Sequence, residues 1–197
     1  MSNKGKTENV KRNYEYLGDF HLGGTQLRVS DPSYDKDTWC SGVVENCQPG
    51  TWEGYLAYQD EEEWGLRVCM LAARNKKCRQ GVSLCDKVFT SGEYIRWNSL
   101  TWEDCDIEVG VDSGQAGIFD EAMYKKEEQF DSYPGWLGWE CDSKWYANCC
   151  AITLGNKQGG VIPSGVLSAS GYGDGSYRAF KHKNRNGQVD MVLILFM

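Results

Sequence analysis

Length, composition and charge narrow the classes of protein to which this chain can belong. The chain has 197 residues, 41% of them apolar and 25% charged, which is typical of a globular protein of one domain. Its net charge of −7, from 28 acidic and 21 basic side chains, argues against nucleic acid as a direct ligand, because phosphate binding needs a positive surface. The acidic charge is still compatible with another role, in which the protein surface imitates nucleic acid and binds in the groove of a basic protein.

The sequence shows no signal for a membrane or for secretion. No apolar run approaches the roughly 20 residues that span a bilayer, and residues 1–6 lack the apolar region of a signal peptide. We therefore expect a soluble, cytoplasmic protein without membrane contact. The nine cysteines are an odd number, so we expect reduced thiols, several of them in the core.

The chain divides into a short polar tail and one larger region with strand periodicity. Residues 1–14 are polar and aperiodic, so we predict a flexible tail followed by a single β-rich domain over residues 15–197. The first two strands are predicted at Leu17 to Leu22 and at Thr25 to Ser30, on either side of a glycine turn.

The clearest hairpin of the sequence joins residues 51–58 and 64–73 across an acidic tip at residues 60–63. In the second strand, apolar residues occupy odd and even positions alike, which predicts that both of its faces are covered. One face is expected to carry Leu66, Val68 and Met70, and the other Cys69 and Leu71.

The second half of the chain also shows strand patterns, with one helix candidate. Residues 105–111 alternate apolar and polar side chains, as in a half-buried strand of an antiparallel sheet. Residues 121–130 are the best helix candidate, whereas residues 145–154 have strand character. Asn184 to Gly187 predict a type I′ hairpin turn, and the apolar strand 189–196 should lie centrally in its sheet.

These elements predict the fold class. About ten to twelve short strands, with turns at intervals of roughly 8–12 residues, are typical of an all-β protein. We predict a mainly β fold, either an antiparallel β-sandwich or a barrel-like sheet, with one or two short helices.

Candidate functional residues gather in loops that follow strong strands, where a rigid scaffold usually carries function. Three such loops hold an acid beside small residues: at Asp31, at residues 112–120 and at residues 173–177. The candidate ligand-binding residues are Asp31, Asp112, Ser113, Gln115, Asp120, Asp174 and Tyr177. The glycines assigned to tight turns are Gly114, Gly171, Gly173 and Gly175.

Convergence of these carboxylates would allow two kinds of chemistry. They could bind a hard divalent cation such as Ca²⁺ or Mg²⁺, with Asp112 and Asp174 as the first candidates. Alternatively, mutual repulsion could raise the pKa of one carboxyl and make it a general acid. The structural alternative is that each Asp accepts backbone N–H bonds within its own turn.

Three motifs together resemble a known family. The motifs are Asp31-Pro32, residues 111–120 and residues 170–177, and an apolar strand follows them. They are similar to motifs of a bacterial and phage family catalogued only as a domain of unknown function. That family has a Gly-Asp-Gly motif near its C-terminus, and the resemblance covers most of residues 17–196. It implies that Asp112, Gly114, Asp174 and Gly175 are family features, and it brings no established activity.

Histidine, cysteine and tryptophan allow further sites. With only His21 and His182, a histidine-rich zinc site is not expected, although a cysteine nucleophile paired with His182 stays open. An exposed aromatic surface could recognise carbohydrate or protein, and core filling is the alternative use of the same residues. These residues are Trp52, Trp97, Trp102, Trp136 and Trp139.

Three functions are compatible with the sequence, which leaves open whether the protein is an enzyme. The leading hypothesis is an intracellular binding or protein-interaction module, with a protein partner or small ligand at the acidic strand-end edge. The second is a metal-assisted hydrolase in which Asp112 and Asp174 hold the cation and Asp31 or Asp120 acts as base. The third is an acidic inhibitor of a basic protein, encoded by a phage or mobile element. None of these hypotheses fixes the oligomeric state.

Overall fold

A computed structural model describes residues 13–78, 102–135, 141 and 143–196, and most of the predicted tail lies outside this part. Its strands are β1 (Asn13–Leu22), β2 (Leu27–Ser30), β3 (Gly42–Val44), β4 (Gly50–Asp60), β5 (Leu66–Asn75), β6 (Glu103–Val111), β7 (Gln115–Asp120), β8 (Gly159–Ile162), β9 (Gly165–Ala169), β10 (Gly175–Lys183) and β11 (Val189–Leu195). The helical elements described are α1 (Lys144–Thr153) and two 3-10 turns, Glu62–Trp64 and Glu127–Gln129.

The strands form two antiparallel sheets that face each other. The six-stranded sheet has the order β1-β4-β5-β11-β10-β6, and the five-stranded sheet has the order β3-β2-β7-β9-β8. Buried side chains of both sheets form one core, with Leu56 and Val192 from the larger sheet and Ile118 and Val166 from the smaller. The predicted mainly β sandwich is confirmed, and neither sheet closes into a barrel within the described residues.

The middle of the larger sheet is buried on both faces, as its apolar sequence predicts. β11 pairs with β5 on one side and with β10 on the other, and all of its residues are buried. On the outer face of this sheet, Met70, Phe180 and Leu193 belong to a second apolar cluster. The predicted central position of the last strand is therefore confirmed.

A bulge at Cys69 changes which side chains of β5 share a face. Ala57 of β4 pairs with Met70, whereas the next residue, Tyr58, pairs with Val68, so Cys69 is the extra residue of the bulge. One inserted residue reverses the alternation, because side chains alternate with a period of two. Val68 lies in the inner core and Met70 in the outer cluster, so the prediction that they share a face is wrong.

The first two predicted strands exist but do not pair with each other. β1 pairs with β4 in the larger sheet, whereas β2 pairs with β3 and β7 in the smaller one. Residues 23–26 therefore carry the chain from one sheet to the other. The predicted hairpin between residues 51–58 and 64–73 is confirmed by the ladder between β4 and β5.

The α-helix lies at Lys144–Thr153, where the sequence was interpreted as a strand, so that prediction is wrong. α1 packs on the outer face of the smaller sheet, where Trp145 and Cys149 join the cluster around Phe119. A spacing of four residues puts Trp145 and Cys149 on one helical face, and this pattern prevails over the strand character of the single residues. None of the described helices is long and apolar enough to cross a membrane.

The predicted helix at residues 121–130 is wrong as well, because this segment forms turns. Lys125 has a φ of 60°, a left-handed value that does not continue a helix, and only Glu127–Gln129 form a 3-10 turn. The Tyr124 hydroxyl lies 2.9 Å from the Asp31 carbonyl oxygen and 2.8 Å from that of Tyr34. Tertiary contacts, and not helix propensity, fix this segment.

The hairpin between β10 and β11 is confirmed, but its turn is not of type I′. That turn needs positive φ at two consecutive residues, and in the loop 184–188 only Gly187 has one, at 78°. The Gly187 N–H donates to the Asn184 carbonyl oxygen at 2.9 Å. The loop is therefore an ordinary turn that ends in one left-handed glycine.

The turn between β9 and β10 links the smaller sheet to the larger and depends on two glycines. Gly171 and Gly173 have φ values of 72° and 89°. A Cβ on Gly171 would lie 1.9 Å from the Val68 carbonyl oxygen, whereas nothing lies within 4 Å of that position on Gly173. Glycine is therefore needed at 171 for space as well as for φ.

Replacing Gly171 with alanine should destabilise the protein by more than about 3 kcal/mol, because the added methyl group overlaps the backbone of β5. Gly173→Ala is the matched control. It also forces alanine into a positive φ, at a cost of about 1–2 kcal/mol, but its methyl group overlaps no other atom. Urea denaturation gives both free energies of unfolding. Equal losses in the two variants would contradict the close approach at Gly171.

The first turn of α1 is held by two side chains. The Ser143 hydroxyl accepts the Tyr146 N–H at 3.2 Å, and the Glu127 carboxylate accepts the Lys144 and Trp145 N–H groups at 2.7 and 3.2 Å. Burial raises the pKa of Glu127, but hydrogen bonds from Ser143 and from these N–H groups more than offset it. The pKa of Glu127 is therefore lowered from 4.5.

Glu127→Gln should cost about 1 kcal/mol at neutral pH, because the charged acceptor at the helix start is lost. A lowered folded-state pKa stabilises the protein above 4.5, and this contribution is lost as the pH falls through the folded value. The stability gap between wild type and variant should therefore narrow in acid. Urea denaturation across pH measures it, with Glu128→Gln, an exposed neighbour, as the control. A gap that stays constant in acid would contradict this role of the carboxylate.

Candidate functional site

The three loops predicted to carry the site meet at one end of the sandwich, but two of them are shorter than predicted. Residues 115–120 form β7, and residues 175–177 begin β10. The loop after β2 begins at Asp31, the turn between β6 and β7 comprises residues 112–114, and the turn between β9 and β10 comprises residues 170–174. The Ser170 N–H donates to the Gly114 carbonyl oxygen at 2.9 Å and so joins the last two turns. Residues far apart in sequence thereby become neighbours.

The buried carboxylate of Asp31 holds two of these loops together. Its Oδ2 accepts the backbone N–H groups of Asp112 and Ser113 at 2.9 and 2.8 Å. Its Oδ1 accepts the Ser33 N–H at 2.8 Å and the Ser113 hydroxyl at 2.7 Å. Asp31 is fully buried, and donors of the protein itself occupy both oxygens. A cation or substrate would have to displace these donors, so the geometry makes Asp31 a structural clamp.

A cleft of about 450 Å³ lies beside this clamp, between the loop 34–40 and the ends of β6 and β10. The Trp39 side chain in it is 82% exposed, the largest value among the exposed large apolar side chains that the structure describes. The cleft lining includes Tyr34, Trp39, Cys40, Glu108, Asp112 and Ser176.

Two hydrogen-bonded pairs give the cleft its polar chemistry. The Tyr34 hydroxyl donates to Asp112 at 2.6 Å, and the Ser176 hydroxyl donates to Glu108 at 2.6 Å. Burial is the first cause that raises the pKa of Tyr34, and its hydrogen bond to Asp112 is the second. The phenol therefore stays protonated and donates. Asp112 and Glu108 are both exposed, so the cleft presents two carboxylates beside an indole ring.

The loop that carries Trp39 is docked on β6 through close backbone contact. The Gly110 N–H donates to the Cys40 carbonyl oxygen at 2.8 Å. A Cβ on Gly110 would lie 2.4 Å from the Cys40 sulfur, and a Cβ on Gly42 would lie 2.7 Å from Ile107. These glycines let the loop approach the strand, and the docked loop forms one wall of the cleft.

Asp120 does not belong to this group of loops. It ends β7, whose first residue is Gln115, so it lies about 17 Å from that end at the usual rise of a strand. Its carboxylate accepts the N–H groups of Gly23 and Ala122, both at 2.8 Å. Asp120 therefore has the structural use that the sequence allowed for each aspartate.

The remaining candidates differ in exposure. Asp174 is exposed in the turn between β9 and β10, next to a residue that lines the cleft. Tyr177 is buried, and its hydroxyl donates to the Gly173 carbonyl oxygen at 2.8 Å, so it shapes that turn. Gln115 is buried and faces α1, where its Nε2 donates to the Cys150 sulfur at 3.4 Å.

Sequence reasoning missed Trp39, the exposed aromatic residue of the cleft. The signal for it was a tryptophan after a polar loop, residues 33–38, where no apolar periodicity requires one. Core filling, the other use considered for these tryptophans, holds for Trp52, which is fully buried in the core, and Trp102 is half-buried. The candidates that lie outside the described residues are Trp97, Trp136 and Trp139.

Comparisons with known proteins identify no relative. The scan against protein-family models, the search of the curated proteins and the search of the solved structures each return no match. The resemblance to a domain-of-unknown-function family therefore stays a prediction, and the function has to be inferred from the geometry.

Asp31→Asn should destabilise the protein by about 3 kcal/mol. An amide NH2 group, which donates, then replaces a carboxylate oxygen that accepts N–H or O–H donors. Asp174→Asn is the control at an exposed carboxylate and should change stability by less than about 0.5 kcal/mol. Urea denaturation measures both. An undiminished stability of Asp31→Asn would refute the clamp, and a loss of several kcal/mol in Asp174→Asn would make that turn carboxylate structural too.

Proposed function

We propose that this chain is a binding module whose cleft takes a positively charged side chain of a protein partner. The observation that carries this proposal is Trp39, 82% exposed in a cleft that also holds Asp112 and Glu108. An indole face attracts a cation within about 6 Å of its centre by about 0.5–2 kcal/mol. Carboxylates beside the ring add charge-assisted hydrogen bonds to the same cation.

An arginine side chain fits these features best. Its planar guanidinium can stack on the ring of Trp39 while its N–H groups donate to Asp112 or Glu108. Its apolar stem covers surface at the mouth of the cleft. The net charge of −7 attracts a basic partner over a longer range and favours fast association.

The metal-assisted hydrolase has less support. Asp31 and Asp120, the bases considered for it, already accept hydrogen bonds from the protein on both oxygens. Asp112 and Asp174 alone supply few of the six to eight oxygens that Ca²⁺ takes. The acidic inhibitor of a basic protein is a special case of the proposed function, since it would use the same charge and the same cleft.

The test is a titration of the full chain with a short arginine-rich peptide, followed by NMR of the indole N–H signals. The Trp39 signal should shift, and the affinity should fall as salt is raised. Trp39→Ala should weaken binding about five- to thirtyfold, the equivalent of about 1–2 kcal/mol. Asp112→Asn should weaken it as well, because the charged acceptor is lost.

Trp64→Ala is the matched control. Trp64 is 70% exposed and follows the acidic tip 60–63, so it combines an aromatic ring with carboxylates outside the cleft. The proposal expects this variant to bind like the wild type and a glutamate-rich peptide of equal length not to bind. Equal losses in the two tryptophan variants, or peptide binding that survives Trp39→Ala, would rule out the cleft.

A further inference from the structure

A cysteine, a histidine and an aspartate come together on the larger sheet, away from the cleft. His182 lies in β10, Asp190 lies in the neighbouring β11, and Cys78 lies in the turn that follows β5, the next strand of the sheet. The ladder between β10 and β11 changes register between His182 and Lys183, and this irregularity brings Asp190 beside His182.

The three side chains converge in a buried environment. One candidate ligand atom from each residue lies within 4.8 Å of the other two, and His182 Nδ1 lies 2.6 Å from Asp190 Oδ1. His182 and Asp190 are 5% and 3% exposed, and Cys78 is half-buried. The ring of Trp102 packs edge-on against the imidazole at 6.1 Å. Buried ionisable groups in proteins are paired with one another or coordinate a metal ion.

A nucleophilic relay of cysteine, histidine and aspartate has a different arrangement. In a relay the carboxylate bonds one ring nitrogen and the sulfur bonds the other, which separates sulfur and carboxylate by roughly 6–7 Å. Here the Cys78 sulfur and an Asp190 oxygen are at most 4.8 Å apart. The groups surround one point, as ligands of an ion do.

We propose that Cys78, His182 and Asp190 form a zinc site. A thiolate, an imidazole and a carboxylate are the donors that zinc takes, whereas Ca²⁺ and Mg²⁺ take oxygen ligands. Zinc at about 2.0–2.3 Å from tetrahedral ligands keeps those ligands about 3.3–3.7 Å apart. The ion takes the place of the proton between His182 and Asp190, and their 2.6 Å contact widens to that spacing.

Zinc at this position would join the turn after β5 to the hairpin of β10 and β11. Three protein ligands fill three of its four tetrahedral positions and leave one for water or another group. Residues of the cleft, such as Trp39 and Asp112, take no part in binding this ion. A test of the zinc site is therefore independent of the proposed function.

The test is a titration of the reduced, metal-free full chain with Co²⁺, a spectroscopic substitute for zinc, followed by displacement with Zn²⁺. About one cobalt ion per chain should bind, with thiolate-to-metal absorption in the near ultraviolet that zinc abolishes. Cys78→Ser should remove that absorption. His182→Gln and Asp190→Asn should each weaken binding at least about tenfold, because a ligand is lost.

Cys141→Ser and His21→Gln are the matched controls, a half-buried cysteine and an exposed histidine that should leave the titration unchanged. Circular dichroism establishes that each variant is folded. If the buried variants at His182 or Asp190 unfold, Cys78→Ser decides, since serine is nearly isosteric and its site is half-buried. A wild-type protein without thiolate-to-cobalt absorption, or absorption that persists in Cys78→Ser, overturns the site.

Discussion

One buried carboxylate determines how the loops at the end of the sandwich are arranged. Asp31 follows a strand of the smaller sheet, and it takes donors from the turn at residues 112–114, where the chain passes from β6 of the larger sheet to β7 of the smaller. Low dielectric strengthens each of its charge-assisted bonds, and burial keeps water from competing for them. Asp112 is thus held in a fixed place at the cleft by a side chain that takes no part in lining it.

The strands could be predicted because their side chains alternate between two faces, and this alternation is visible in the order of apolar and polar residues. The alternation in β6 and the apolar run of β11 predicted both strands and the central place of β11. The bulge at Cys69 left no such trace, because several neighbouring residues are apolar and any of them could have been the extra one. The start of α1 depends on Glu127, which lies 16 residues before Ser143, so local propensity alone could not place that helix.

The meeting of the acidic loops was predictable from the sequence, but the exposure of their carboxylates was not. Three loops with acids at strand ends meet because a sandwich gathers its loops at its two ends, and their role in binding stays a prediction. Which carboxylates face solvent depends on partners remote in sequence, such as the bond between Asp31 and Ser113, 82 positions apart. Trp39 shows the same limit, since its exposure follows from the docking of its loop against Gly110.

The place of β11 in its sheet has a consequence for the synthesis of the protein. This strand is the last of the described strands to leave the ribosome, yet it lies between β5 and β10 in the middle of the larger sheet. β11 pairs with β5 on one side and with β10 on the other, so without it the edges of β5 and β10 that it covers have no partner. A chain whose translation stops before residues 189–195 would offer both edges to chaperones and to other nascent chains.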